Sequence, residues 1–312
     1  MKFFLVPKYK IAALGFLVQL ILGANQLCAQ ELSILVPYAS QGPTDVAVRA
    51  LARNMAIKYS NGVKVHNKLG ESGLLGLREF VNASSIDSTL ILLNSNTFLL
   101  AAVKEPRLLE GIRPISLIAL SPMVLISNKS WSTIVAEANR KKSIKIGTSV
   151  PGSASHLCAL QIAEAIGVSP DLVSYKGTAP LLSELFAKNI EYACIEMSAS
   201  LPLYLSQGNI TAAAISSDEA IATLPNIPTF ESLGVNNITK GQWSILASHA
   251  QSSNNFNLYS ADAVRTALQQ KLNVPSGLFN FIPSEAVSNE KAIYFVQREF
   301  AKTKPYLSRL AN

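Results

Sequence analysis

Four times in this chain a short apolar stretch passes through a loop of small residues into apolar positions spaced as on a helix. In LVPYASQGPTDVAVRALARNMA, from Leu35 to Ala56, the strand breaks at Pro37. Val48, Leu51, Ala52 and Met55, with Tyr59 beyond, then recur at helical spacing. VKVHNKLGESGLLGLREFVNA repeats the pattern through a Gly-rich turn at Gly70–Gly73. SIKIGTSVPGSASHLCALQIAEAIG predicts a strand over Ser143–Thr148 and a helix with Cys158, Ile162, Ala165 and Ile166 on one face, closed by Gly167. DLVSYKGTAPLLSELFAKNIEYACI predicts a strand, a loop at Lys176–Thr178, a helix carrying Leu181, Leu182, Leu185 and Phe186, and a further strand near Glu191–Ile195. Strands alternating with helices of this length predict βαβ units, an α/β fold and parallel-dominated sheets.

In such sheets ligands sit beyond the carboxyl ends of the strands, where helix N-termini gather and their free N–H groups attract anions. The loops Ser40–Asp45, Gly70–Gly73, Ser149–Ser153 and Lys176–Thr178 all hold that position. Each alone is equally a plain strand-to-helix turn, since Pro suits the first helical position and Ser or Thr caps helices for structural reasons. Their repetition favours a cleft that holds a small anionic group by backbone N–H and hydroxyl donors.

At 312 residues the chain has room for one large or two medium domains. Its first segment, MKFFLVPKYKIAALGFLVQLILGANQLCAQ, places Lys2, Lys8 and Lys10 before an apolar run from Ile11 to Leu22 and reads as a secretory signal peptide, 1–29, cleaved after Ala29. Cys28 lacks the small residues before it that a lipidation site needs. No later stretch is long and apolar enough for a membrane span. The net charge of +7 includes those three lysines, and the remaining basic residues are scattered, which argues against nucleic acid as a partner. Cys158 and Cys194 make no disulfide framework and are expected to be reduced and buried. His66, His156 and His249 lack metal-ligand spacing, so no metal and no cofactor is expected.

The order of motifs resembles that of the substrate-binding receptors of tripartite tricarboxylate transporters, the Bug-type periplasmic receptors. Pro37, Tyr38, Gly42, Pro43, Thr44, Asp45 and Arg49 fit the family's opening motif, and Asn67, Lys68, Gly70, Gly73 and Gly76 fit its second. Gly152, Ser153, His156 and Leu157 fit the third; SYKGTAPLLSEL resembles a Tyr-Lys-Gly motif, LPNIPTFESLG a Pro-rich signature, and Trp243 follows where a tryptophan is expected. The resemblance runs from Leu35 to about Ser248. Its departures are Gln41 in place of a glycine, Val150-Pro151 before Gly152, Ser174 in place of a proline, and SSIDSTL, which lacks a Pro-Asp-Gly turn.

The resemblance implies a two-lobe periplasmic binding protein of the type II, Venus-flytrap kind, with βαβ units in each lobe. It implies a discontinuous lobe 1 (30–124 and 245–312) and a lobe 2 (125–244), with the chain crossing near Pro122–Ile126 and returning near Trp243–Ala247. The implied partners are a small carboxylate ligand and membrane transporter subunits, with the receptor a monomer in the periplasm. The ligand-binding residues expected on this reading are Tyr38, Gln41, Gly42, Thr44, Asp45, Ser149, Gly152, Ser153, His156, Tyr175, Gly177 and Thr178. Thr44 and the N–H groups after Gly42 act as donors, Asp45 braces the first helical turn, and His156 fixes its loop by a hydrogen bond. Gln41 is expected to offer its amide to a polar group on the ligand. Tyr38 and Tyr175 are candidates for stacking on the ligand, whereas Trp243 reads as core or hinge packing.

Two other classes stand beside this reading, and the sequence does not separate the first of them from transport. A sensing subunit for a membrane histidine kinase needs the same closing cleft. A serine hydrolase would start from Ser149 or Ser153 with His156, but GTSVPGS is not a nucleophile elbow and no third group is in place to orient the histidine.

Overall fold

A computed structural model describes residues 31–84, 86–198, 201–221, 223–275 and 279–310. The signal-peptide segment, 1–29, lies outside the described residues. Among those described, no helix is long and apolar enough to cross a membrane.

Among the described residues ten strands form two five-stranded sheets. The first contains β1 (Leu32–Val36), β2 (Val63–Asn67), β3 (Thr89–Asn94), β4 (Ile112–Ser121) and β10 (Gln242–His249), in the order β2-β1-β3-β10-β4. The second contains β5 (Met123–Ser127), β6 (Ser143–Thr148), β7 (Ser169–Ser174), β8 (Tyr192–Glu196) and β9 (Thr211–Ile215), in the order β7-β6-β8-β5-β9. The layouts match. In each sheet the strands β1, β2, β3 or their counterparts β6, β7, β8 pair in parallel, and one antiparallel strand sits fourth in order, β10 or β5. That antiparallel strand is the one by which the chain has just entered the sheet.

The helices follow the sequence pattern. α1 (Pro43–Met55) buries Val48, Leu51, Ala52 and Met55, the positions spaced for one face. α2 (Leu74–Val81), α3 (Ser95–Lys104), α4 (Trp131–Lys141), α5 (Ala154–Ala165) and α6 (Thr178–Phe186) cover the sheets, and α8 (Asn254–Gln269) and α9 (Asn289–Thr303) return to the first after a short α7 (Leu201–Ser206) in the second.

Central strands are buried on both faces, so their apolar runs split by alternation. Leu90 and Leu92 of β3 enter a core with Ile34, Leu246 and Phe256, while Ile91 and Leu93 face the opposite core with Leu77, Ile245 and Trp243. Met123 and Leu125 of β5 divide from Val124 and Ile126 in the same way in the second sheet. Trp243 is buried, with its ring 5.3 Å from Phe98 and 6.1 Å from Phe295.

One expectation is overturned. Cys158 and Cys194 are not free thiols; they are joined as a disulfide, with Cα atoms 6.4 Å apart. Both are fully buried. Cys158 lies on α5, which packs across β8, and the helix sets it over Cys194 in the middle of that strand. The sequence separation of 36 carries no sign of this; only the docking of helix on strand does.

Among the described residues the chain has two passages between the sheets. Pro122 alone separates β4 from β5, and Thr239–Gly241 leads back into β10. The passages are tied together: Ser216 Oγ donates to the Lys240 carbonyl at 2.8 Å and accepts the Met123 N–H at 2.8 Å.

Candidate functional site

The loop before α1 is fixed by a buried carboxylate. Asp45 Oδ2 accepts the Gln41 N–H at 2.8 Å and Arg49 Nε at 2.9 Å, and Oδ1 accepts Asn67 Nδ2 at 2.8 Å. Asn67 also donates to the Tyr38 carbonyl at 3.1 Å, so β2 holds the loop from the other side. Burial pushes the Asp45 carboxyl upward, but the hydrogen bonds from Arg49, Asn67 and the Gln41 amide outweigh it and hold the group below its ordinary value. Asp45 is thus spent on shaping the loop. Gln41 takes a left-handed backbone, φ +65°, a conformation that favours glycine; its side chain is exposed and its N–H serves Asp45.

This loop delivers a helix start with nothing on it. The N-caps of α1, α2 and α6 are Gly42, Gly73 and Gly177, and none of these three ends has a side-chain cap. In contrast α3, α4, α5, α8 and α9 are capped by Asn94, Ser130, Ser153, Ser253 and Ser288. The amides of Thr44 and Asp45 in α1, and of Thr178 and Ala179 in α6, are first-turn donors that a helix leaves without internal partners. Gly177 has φ +117°, a conformation that L side chains rarely adopt.

The starts of α1 and α6 open onto one cavity of about 430 Å³ between the sheets, lined by Pro43 and Thr44 from one and by Thr178, Ala179 and Leu182 from the other. Its polar wall comes from strand ends: Asn94 from β3, Ser121 from β4, Glu196 from β8, and Gln242 and Ser244 from β10, with Asn280 and Phe279 from the segment before α9. Ser95 Oγ donates to Gln242 Oε1 at 2.6 Å, which leaves the Gln242 Nε2 donors for the cavity. Asn280 is set the opposite way: its Nδ2 donates to Ser121 Oγ at 2.8 Å and to the Met197 carbonyl at 3.3 Å, which leaves Oδ1 as an acceptor. Burial pushes the Glu196 carboxyl above its ordinary value. A cavity of this size lies in the ~300–1,000 Å³ range of small-molecule sites.

A family model described as the tripartite tricarboxylate transporter family receptor matches residues 47–311. The chain belongs to this receptor family. Protein BugT of Bordetella pertussis is 26% identical over 231 residues, covering 70% of this chain and 71% of that protein. Among solved structures, a TctC solute-binding protein from Polaromonas superposes with a TM-score of 0.74 at 21% identity, over 90% of this chain and 98% of that one. MatC from Rhodopseudomonas palustris with bound malate superposes with a TM-score of 0.63 at 22% identity, over 89% of this chain and 99% of that one. These similarities fix the two-lobe α/β fold of a periplasmic solute-binding protein.

In the receptor the cleft continues beyond the first cavity. Asn94 is shared with a chamber of about 370 Å³ lined by Tyr38, Gly70, Gly73 and Thr97. Ser72 and Asn96 are shared between that chamber and another of about 390 Å³, walled by Leu99 and Val103 on one side and by Val150–Ser153 on the other. Tyr38 is locked in place: its hydroxyl accepts the Asn94 N–H at 2.9 Å and lies 3.0 Å from Thr97 Oγ1, which donates to the Ser72 carbonyl at 2.9 Å. Burial, against the pull of those hydrogen bonds, pushes its phenol up to about 12.

The third loop is satisfied within itself. Ser153 Oγ caps α5 by accepting the His156 N–H at 3.2 Å and lies 2.8 Å from Ser149 Oγ, and His156 Nδ1 accepts the Gly152 N–H at 2.9 Å. That bond makes Nδ1 the bare nitrogen, and burial, with a smaller push from Arg309, lowers the His156 pKa below its ordinary value. Among the described residues no hydrogen bond joins the His156 ring to Ser149 or Ser153, so the hydrolase arrangement is not formed there. No group of three or more His, Cys, Asp or Glu among them could hold a metal.

Of the residues singled out in the sequence, Tyr38, Thr44, Gly152, Ser153 and Thr178 line the cleft. Gly42 and Gly177 set the helix starts, Asp45 and His156 fix loops, and Ser149 bonds to Ser153. Tyr175 packs against the core under α6. Sequence reasoning missed Asn94, Ser121, Glu196, Gln242 and Asn280. The strand-end rule offered a signal for Glu196, the last residue of β8, and for Asn94, the last of β3.

Proposed function

We propose that this receptor captures a small carboxylate between its lobes and presents it to the membrane subunits of a tripartite tricarboxylate-type transporter, working as a periplasmic monomer after signal cleavage. The observation that carries the reading is the pair of uncapped helix starts, α1 from the first sheet and α6 from the second, on one cavity. Each presents open N–H groups, a Thr hydroxyl and the positive end of a helix dipole. A carboxylate that accepts from both ends bridges the two lobes, and this gives the closed state an affinity that the open state lacks. Lobe 1 then comprises the first sheet with α8 and α9, and lobe 2 the second sheet, hinged at Pro122 and Gly241. The malate in the Rhodopseudomonas structure is in keeping with a ligand of this class.

The test is a thermal-shift screen of the protein from residue 30 against small mono-, di- and tricarboxylates. A ligand at 100 times its dissociation constant adds about 2.7 kcal/mol, a rise of several degrees in unfolding temperature. A screen in which no carboxylate raises that temperature overturns the reading.

A further inference from the structure

The cavity is not uniformly a site for negative charge. Glu196 places a carboxyl in its wall, and among the described residues that carboxyl has no hydrogen bond and no ion pair, only burial acting on it. Among the described residues Tyr204 is the other titratable side chain on the lining, and no Lys, Arg or His lines the cavity. Those residues therefore supply no positive charge to balance Glu196.

The lining also offers a bare amide oxygen. Asn280 donates through Nδ2 to Ser121 Oγ and to the Met197 carbonyl, which leaves its Oδ1 as an acceptor. The donors on the lining are Gln242 Nε2 and the starts of α1 and α6. A plain dicarboxylate that reached Glu196 would set its second carboxylate against an ionised carboxyl. An ammonium group satisfies Glu196, because it has three N–H donors and a positive charge.

The geometry points to a ligand that is an amino-carboxylate zwitterion, its carboxylate on the starts of α1 and α6 and its ammonium on Glu196. This rests on the carboxylate reading above and narrows it. Glu196 then acts as the residue that selects against simple acids. A lone carboxylate in a low-dielectric cavity costs free energy to keep charged, and the ligand's ammonium returns that cost on binding.

The experiment is calorimetry on the protein from residue 30, with 4-aminobutyrate, L-aspartate and L-glutamate each set against the matching acid without the amino group: butyrate, succinate and glutarate. The expected result is that at least one amino acid binds tenfold or more tighter than its partner, with affinity rising with pH as Glu196 ionises. Glu196→Gln should weaken that amino acid and strengthen its plain partner, which closes the gap. The wild-type comparison needs no variant, so it stands even where the substitution disturbs folding. Plain acids that bind as well as or better than their amino partners overturn this inference and leave the carboxylate reading standing. If no acid of either kind binds, both fall.

Discussion

Gly241 lies so close against Ser121 that a Cβ on it would overlap the Ser121 carbonyl oxygen, and that Cβ would also stand 3.0 Å from Met123 N. The two passages between the sheets are therefore in backbone contact at the point where the chain leaves one sheet and re-enters it. Gly241 also holds φ +120°, which only glycine adopts without strain. On the proposed lobe division, movement of one lobe on the other would be confined to a few residues on each passage, as a hinge requires.

Gly241→Ala should be costly for both reasons. A non-glycine residue in that backbone region costs about 1–3 kcal/mol before any overlap is counted, and the carbonyl it meets belongs to a strand that cannot swing away. We expect thermal unfolding at least about 2 °C below wild type. An unfolding temperature within half a degree of wild type would show that the contact is soft.

The strand Ser143–Thr148 and the helix start at Pro43 stand in the sequence where the structure has them, because alternation and a Gly-Pro entry are local signals. The loops that shape the cleft were legible for the same reason. The polar wall was not. Ser121, Glu196, Gln242 and Asn280 come from four separate stretches and meet only through strand order and the two passages. Glu196 was missed narrowly, since the expected strand stops at Ile195 and the side chain that faces the cavity is the next one. The Cys158–Cys194 bond was hidden because a helix docking on a strand leaves no trace in spacing.

That bond predicts a measurable difference on reduction. Closing a loop of this length removes denatured-state entropy worth about 3–4 kcal/mol in the chain-entropy account. Because both cysteines are fully buried, reductant should act only on opened molecules. Non-reduced mature protein should show a mass two hydrogens short and take up no alkylating label, and Cys158→Ala with Cys194→Ala should lower the urea midpoint. Two labelled cysteines in the native protein would show that the bond does not form.

Asp45 gives the acid limb of stability a definite sign. Its folded pKa is depressed, so its contribution is fully present above the unfolded value of about 3.9 and is lost as pH falls through the lower folded value. Asp45→Asn, which removes charge-assisted bonds to Arg49 and the Gln41 amide, should cost roughly 1–3 kcal/mol at pH 7. Urea unfolding should show the gap between wild type and variant narrowing below about pH 3.9. A gap that stays constant from pH 7 to pH 3 would mean that Asp45 is not held ionised by its partners.

Thr44 and Thr178 offer the most direct test of the jaws, because each hydroxyl lines the cavity at the start of a different helix. Valine keeps the shape and β-branching of threonine and removes only the hydroxyl, so the unliganded fold should be little altered. A hydrogen bond to a charged group is worth roughly 1.5–3 kcal/mol, so Thr44→Val and Thr178→Val should each weaken the best carboxylate from the screen by about ten- to a hundred-fold. On the proposed reading the two hydroxyls serve one carboxylate from opposite lobes. Losing either one leaves the lobes less able to close, so the double variant should lose less than the product of the two single effects. Titration calorimetry on the three variants measures this, and unchanged affinity in both single variants would remove these helix starts from the binding site.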